Sequence, residues 1–470
     1  MPDQRQNGPA EHEHRPAVDA ARRIAYHVLR EVSADEAYAN LALGEALAYE
    51  HLPARDAALA TELVFGTCRW QGTWDRVLEA ASGRPLTSLQ PAVVDVLRLG
   101  THQLLAMRTP THAAVSLSVQ LARMAIGERV TGVVNAVLRR VAARDLAGWM
   151  DVLSQGLNRR NELALRYAHP GWIVDVLASV LPDDEIEAAL AADNQPATPV
   201  LVARPGLITR DELAQRGGRP TAYSPWGVRR AGDPARVPAV RDGRAGVQDE
   251  GSQLVCLAAW RAFQADLDDA DPDMQRTVLD LCAGPGGKAA LLCGLAGQAG
   301  AFLLANEVQP HRADLVRQAL RAYPEDSCEV ICEDGRDGSW KRGFFDLVLA
   351  DVPCTGLGAL RRRPEARWRR TRADLADLVV VQAQLLDAAL AAARPGGIVA
   401  YATCSPHPDE TSAIVSPAAA RCGAEILDAP SFLPGVPNVA AATDARFVQL
   451  WPHRHGTDAM FLALLRLPRR

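Results

Sequence analysis

The chain has 470 residues, 48% hydrophobic and 23% charged, with a formal net charge of −5. That length favours two to four domains, and the composition excludes a wholly disordered or fibrous chain. The slightly acidic total excludes a uniformly basic surface but leaves room for a local basic patch that could meet nucleic acid.

Residues 1–17, MPDQRQNGPAEHEHRPA, lack the apolar core of a signal peptide, so a disordered tail and a cytoplasmic location are expected. No run of 18 uncharged apolar residues occurs, so no membrane span is expected. Nine cysteines without an export signal are expected to be free thiols, and eight of them follow residue 250. Over 18–150 the apolar residues recur at helical spacing, as in Ile24, Ala25, Val28, Leu29 and Val32 and again in Val133, Val134, Val137, Leu138 and Val141. Prolines 53, 85, 91 and 110 fall between these stripes, which predicts an all-α bundle whose exposed faces are open to binding.

Residues 151–245 read as a small mixed α/β linker domain, with helices near 172–181 and 184–192, a strand in PVLVARP and a Gly/Pro/Arg-rich passage. From 246 to 470 a helix over 252–263 and an acidic loop, ADLDDADPDMQR (265–276), lead into alternating strands and helices. The expected strands are VLDLC (278–282), FLLAN (302–306), CEVIC (328–332), FDLVLAD (345–351) and IVAYAT (398–403). Helices over 288–297, 310–322 and 375–393 fall between most of them, which predicts a mostly parallel sheet covered on both faces.

Chemistry concentrates at the C-terminal ends of these strands. In VLDLCAGPGGKAA an apolar strand runs into Gly284-Pro285-Gly286-Gly287 and then a helix, a turn that brings bare backbone and helix N–H groups to a ligand. The spacing is neither GxGxxG nor GxxxxGK[ST], so it implies neither a dinucleotide nor ATP. Glu307, Asp334 and Asp351 each follow a strand and would line the crevice in which open α/β sheets bind ligands. Cys354 in Asp351-Val352-Pro353-Cys354 and Cys404 in Thr403-Cys404-Ser405-Pro406 follow two strands directly, where a thiol can be partly exposed and nucleophilic. Cys328 and Cys332 alternate within one strand and lack a second pair or His partners, so no metal site is expected. ALRRRPEARWRRTR (359–372) interleaves Trp368 with arginines, a pattern suited to phosphate contact and base stacking.

Together CAGPGGK, DVPC followed by RRRPEARW, and TCSPHPDE resemble the RsmB/NOP family of RNA cytosine-C5 methyltransferases. VQDEGSQLV (247–255) and HRHGTDAMFLALLR (453–466) extend the resemblance, and the helical first 150 residues are similar to the NusB-type RNA-binding domain of its RsmB (Sun/Fmu) members. The resemblance implies a NusB-like bundle, a small α+β middle unit and a C-terminal Rossmann-like domain using S-adenosyl-L-methionine. It further implies cofactor contacts at Cys282, Ala283, Gly284, Pro285, Gly286, Gly287, Lys288, Glu307, Asp334 and Asp351. Cys404 would be the nucleophile, Cys354 would assist release of the adduct, and Asp351 would hold the base near N3. Arg361, Arg362, Arg363, Arg367 and Trp368 would grip RNA. Three departures stand out: Gly284 where the family commonly has Ala, Asn306-Glu307 for Val/Leu-Asp, and Ala459-Met460 for Gly-Phe. The implied activity is methylation of cytosine C5 in 16S rRNA, at cytosine 967, by a monomer acting before full subunit assembly. Two alternatives remain at this point: a tRNA cytosine-C5 methyltransferase, or a non-catalytic, antitermination-like RNA-binding factor.

Overall fold

The computed structural model of the chain describes residues 18–215, 217–265 and 275–469. The expected tail at 1–17 and most of the acidic loop at 265–276 lie outside the described residues. The chain forms two compact units, which divide between Ala168 and His169.

Among its described residues the first unit is helical: α1 (Ala20–Ala34), α2 (Ala39–Glu50), α3 (Ala54–Ser82), α4 (Pro91–Leu105), α5 (Thr111–Ala125), α6 (Thr131–Val141), α7 (Leu146–Leu153) and α8 (Arg159–Arg166). The sequence marks many of the starts. Pro53 and Pro110 stand at the N-caps of α3 and α5 and Pro91 opens α4, while the Asp19 carboxylate accepts the Arg22 N–H of α1 at 2.9 Å. Gly83, at φ 70°, ends α3 in the left-handed conformation. Leu63, Val64, Leu97, Leu99 and Leu138 are fully buried and form the centre of the bundle. Arg98 grips Asp75 with two hydrogen bonds of 2.7 and 2.8 Å, tying α4 to α3.

The second unit begins with α9 (Gly171–Val180) and α10 (Asp183–Asp193) and a four-stranded antiparallel sheet in the order β2-β3-β1-β4. Its strands are β1 (Val200–Ala203), β2 (Arg219–Pro220), β3 (Gly227–Arg229) and β4 (Ala245–Val247), with the short helices α11 (Arg210–Ala214) and α12 (Pro238–Arg241) between them. Within the segment 151–245, therefore, α8 belongs to the first unit and this sheet to the second.

The large sheet follows. α13 (Glu250–Ala265) precedes β5 (Thr277–Asp280), α14 (Gly287–Gln298), β6 (Phe302–Asn306), α15 (Pro310–Leu320), β7 (Cys328–Ile331) and β8 (Phe345–Asp351). Then come α16 (Ala366–Arg369), α17 (Arg372–Ala392), β9 (Ala393–Thr403), α18 (Ser412–Cys422), β10 (Glu425–Ile426), β11 (Val448–Gln449), α19 (Pro452–His455) and β12 (Phe461–Arg466). The order is β10-β12-β9-β8-β5-β6-β7, with β11 pairing β12. β5 to β9 run parallel, as the alternating pattern predicts, but β12 enters antiparallel between β9 and β10. Neighbouring strand residues point to opposite faces. Val278, Leu303 and Leu347 pack with α13, α14 and α15, whereas Leu279, Val348 and Val399 pack with α17 and α18. α17 is long and apolar enough to cross a membrane by composition alone, yet it packs Leu385, Leu386 and Ala389 against this sheet.

Candidate active site

At the C-terminal end of β5 the chain turns sharply. Ala283 N–H donates to Asn306 O at 2.8 Å, and Gly286, at φ 102°, caps α14. A Cβ on Gly286 would meet Ala319 Cβ at 2.6 Å and Val316 Cα at 3.0 Å, so this glycine lets α15 approach the turn. Gly287 is the open one, since a Cβ there would touch only Gln248 at 3.8 Å.

Gly284 is coupled to Glu307. The Glu307 carboxylate, almost fully buried, accepts Gly284 N–H at 3.0 Å and Gln309 N–H at 3.0 Å, with Arg312 3.5 Å away. A Cβ on Gly284 would collide with Glu307 Oε2. The two departures from the family pattern thus explain each other: the longer carboxylate occupies the space an alanine methyl would need. Asn306 has its own task, donating to Leu281 O at 3.1 Å and accepting Glu333 N–H at 3.1 Å, which links three strand ends.

Asp280 was not singled out from the sequence. Its carboxyl is fully buried, and beyond the approach of the Cys282 N–H neither oxygen has a hydrogen-bond partner. Burial, reinforced by the nearby Asp351 charge, pushes it up to about 8. Lys288 Nζ donates to Asp351 Oδ2 at 2.7 Å. Burial works against that ammonium, but Asp351 holds it above the ordinary lysine value. Asp334 is half-buried, and Arg336 grips both of its oxygens, at 2.9 and 2.6 Å, holding it down to about 2. It lines an open cleft of about 490 Å³ with Arg342, Gln384 and Asp387.

The two cysteines meet. β8 and β9 are parallel neighbours with Asp351 beside Ala402, so the loops that follow them leave the sheet side by side. Cys354 Sγ and Cys404 Sγ lie 3.3 Å apart, each partly exposed. The Cys354 contact stabilises the Cys404 thiolate and lowers that thiol against the effect of burial, while Asp351 raises it and Lys288 lowers it. Cys354 is raised, through the same contact and through burial.

The arginine segment departs from expectation. Arg362 bridges Asp458, at 3.1 Å from both oxygens, and Asp249 at 2.5 Å, while Arg361 reaches Asp458 at 3.3 Å. Arg367 is fully buried, donating to Asn194 Oδ1 at 2.8 Å and Asp193 O at 3.2 Å. Arg361, Arg362 and Arg367, expected to face RNA, here bond acceptors far away in sequence, and of the three only Arg367 is buried. Arg363 is exposed and Trp368 half-buried, so these two remain accessible.

S-adenosylmethionine presents an ammonium, a sulfonium, a carboxylate and a ribose diol. The residues present fit it: the buried Asp280 carboxyl, Asp351 and the remaining acceptor capacity of Glu307 lie at the ends of three neighbouring strands, with Glu307 bonded to the glycine turn at Gly284.

Residues 269–466 match the family described as 16S rRNA methyltransferase RsmB/F, and residues 19–143 match the NusB family. A putative methyltransferase of Mycobacterium tuberculosis is 49% identical over 456 residues, covering 96% of this chain and 97% of its own length. A protein of Pseudomonas putida named ribosomal RNA small subunit methyltransferase B is 33% identical over 416 residues, 84% of this chain and 90% of that protein. The crystal structure of PH0851 shares the fold at TM-score 0.78 and 21% identity, covering 95% of this chain and 99% of that one. A helical NusB unit joined to a methyltransferase sheet, matched along nearly the whole chain, leaves one conclusion: the protein belongs to the RsmB/F family of S-adenosylmethionine-dependent methyltransferases.

Proposed function

We propose that the protein methylates C5 of a cytosine in 16S rRNA, cytosine 967 by family resemblance, through a covalent bond between Cys404 and C6. The observation that carries this is the pair of thiols 3.3 Å apart, beside the Lys288–Asp351 ion pair, at the ends of two adjacent parallel strands.

Cytosine C5 is a poor nucleophile because its ring is electron-poor. Addition of the Cys404 thiolate at C6 turns C4–C5–C6 into an enamine whose C5 can attack an electrophilic carbon. S-adenosylmethionine supplies that carbon as a sulfonium methyl. Asp351, whose side chain is a quarter exposed and accepts from the Lys288 ammonium, orients the base edge near N3. A base then takes the C5 proton and the Cys404 thiolate leaves, with Cys354 assisting release. The target must be unpaired or flipped out, which costs on the order of a few kcal/mol if it starts stacked. Contacts from the NusB-type bundle, Arg363 and Trp368 would offset that cost. The substrate is 16S rRNA before full subunit assembly, and the enzyme is a cytoplasmic monomer.

The test uses 16S rRNA from a strain lacking the gene, labelled methyl donor and nucleoside mass spectrometry. Wild type should make 5-methylcytosine, mapped to position 967 by bisulfite sequencing. Cys404→Ala should make neither product nor adduct, and Cys354→Ala should accumulate a denaturation-resistant protein–RNA complex. A trapped complex from Cys404→Ala with none from Cys354→Ala would reverse the roles, and no adduct from any variant would rule out the covalent route.

A further inference from the structure

Glu410 lies in TCSPHPDE, six residues after Cys404, and its side chain is fully buried. It accepts Thr355 N–H at 2.7 Å, the Thr355 hydroxyl at 2.5 Å and Gln382 Nε2–H at 2.9 Å. Gln382 donates in turn to Pro353 O at 2.8 Å. Cys354 therefore sits between two residues, Pro353 and Thr355, that are both tied to one carboxylate. The same carboxylate belongs to the loop that leaves Cys404, and Tyr401 Oη donates to the Glu410 main-chain oxygen at 2.9 Å, which holds that loop to β9. A buried charge with three donors is a costly arrangement for a loop that could equally be closed by apolar packing.

We infer that Glu410 is a positioning residue for the cysteine pair: it fixes the Cys354 loop against the Cys404 loop and places its negative charge on the Cys354 side, so that the thiolate forms on Cys404. Charge acts on both thiols: Asp351 and Asp458 disfavour a thiolate on Cys404 and Lys288 favours one, while on Cys354 Glu410 disfavours it against the Gly356 N–H, so the Glu410 charge is what weighs against the Cys354 side. The other titratable groups near Glu410 are Tyr401, raised by burial, and His407, lowered by burial, so His407 brings no compensating positive charge near neutral pH. Without this asymmetry two thiols 3.3 Å apart would share one proton with little preference, and half of the anion would sit on the sulfur that does not attack.

This inference rests on the proposed role of Cys404, but its test does not. Iodoacetamide is added to the full-length protein without RNA or cofactor, and alkylation at each cysteine is followed by mass spectrometry from pH 6 to 9. Wild type should react at Cys404 about tenfold or more faster than at Cys354, the ratio that one pKa unit of separation gives. Glu410→Gln, confirmed folded by thermal melting, should bring the two rates within about threefold, and Glu410→Asp should restore most of the preference. Gln382→Ala loosens the Pro353 tie while keeping the charge, and should leave Cys404 preferred. An unchanged partition in folded Glu410→Gln overturns the inference. So does a shift in Gln382→Ala as large as in Glu410→Gln, because loop geometry rather than charge would then set the preference. Should Glu410→Gln fail to fold, Glu410→Ala takes its place beside Glu410→Asp, and a partition unchanged from wild type in folded Glu410→Ala overturns the inference equally. If the partition moves as expected while wild type forms no RNA adduct, the covalent reading fails and the positioning role stands.

Discussion

Gly284→Ala is the sharpest test of how the cofactor turn is built. The added methyl would collide with Glu307 Oε2 and come within 3.0 Å of Arg312 Cζ. Gly284 is not among the glycines with positive φ, so backbone conformation is no obstacle and the alanine should even gain about 0.4–1 kcal/mol from a less flexible unfolded chain. The cost comes from Glu307. To clear the methyl it must swing away from Gly284 N–H and Gln309 N–H, two bonds of 3.0 Å in a place nearly closed to water. Each such bond to a charged acceptor is worth about 1.5–3 kcal/mol. With partial relaxation the net loss should be about 2–4 kcal/mol. Glu307→Asp withdraws the carboxylate by one methylene and recreates the Ala/Asp combination common in the family, so the double variant should recover at least about 1.5 kcal/mol relative to additivity. Urea unfolding of the four proteins at pH 7 measures the cycle, and calorimetry should show S-adenosylmethionine affinity following the same order. A Gly284→Ala protein within about 0.5 kcal/mol of wild type, or a strictly additive double variant, would refute the coupling.

Asp280, raised to about 8 in the folded protein, keeps a proton that the unfolded chain releases near pH 4. Between those values the folded state binds more protons, so stability falls as pH rises, by up to about 1.4 kcal/mol per unit. Asp280→Asn should flatten that slope in urea unfolding from pH 5.5 to 8; an unchanged slope would place the proton elsewhere. Arg362→Ala should destabilise the protein by about 2–4 kcal/mol, because Asp249 and Asp458, both buried, would be left with Arg361 as their shared cation. Arg363→Ala should lower the slope of log affinity for rRNA against log salt by about one, measured by filter binding. Equal RNA effects from both variants, with no loss of stability in Arg362→Ala, would restore the view of the segment as one continuous RNA grip.

The parts of the site that were legible in the sequence are those whose signal is local. Asp351, Cys354 and Cys404 could be placed on one edge because parallel strands joined by helices present their C-terminal ends together, whatever their register. The arginines could not be sorted, since Arg362 meets Asp249 and Asp458 at separations of 113 and 96 residues, and Arg367 meets Asp193 at 174. Spelling alone does not distinguish an arginine that faces phosphate from one that neutralises a buried acid. FLALLR, an unbroken apolar run, fits a buried strand or a helix equally, so β12 and its antiparallel entry became visible only through pairing with β9. Asp280 did leave a signal: a carboxyl in the midst of the otherwise apolar VLDLC needs a reason, because an unpartnered acid in a buried strand is costly. Its burial, and that of Glu307 and Glu410, break the rules that shape the rest of the sheet, and they do so at its C-terminal edge. Local rules fail where function overrides them. An edge that gathers acids where folding alone would place apolar side chains is one built to receive a cation and to direct the charge of a thiol.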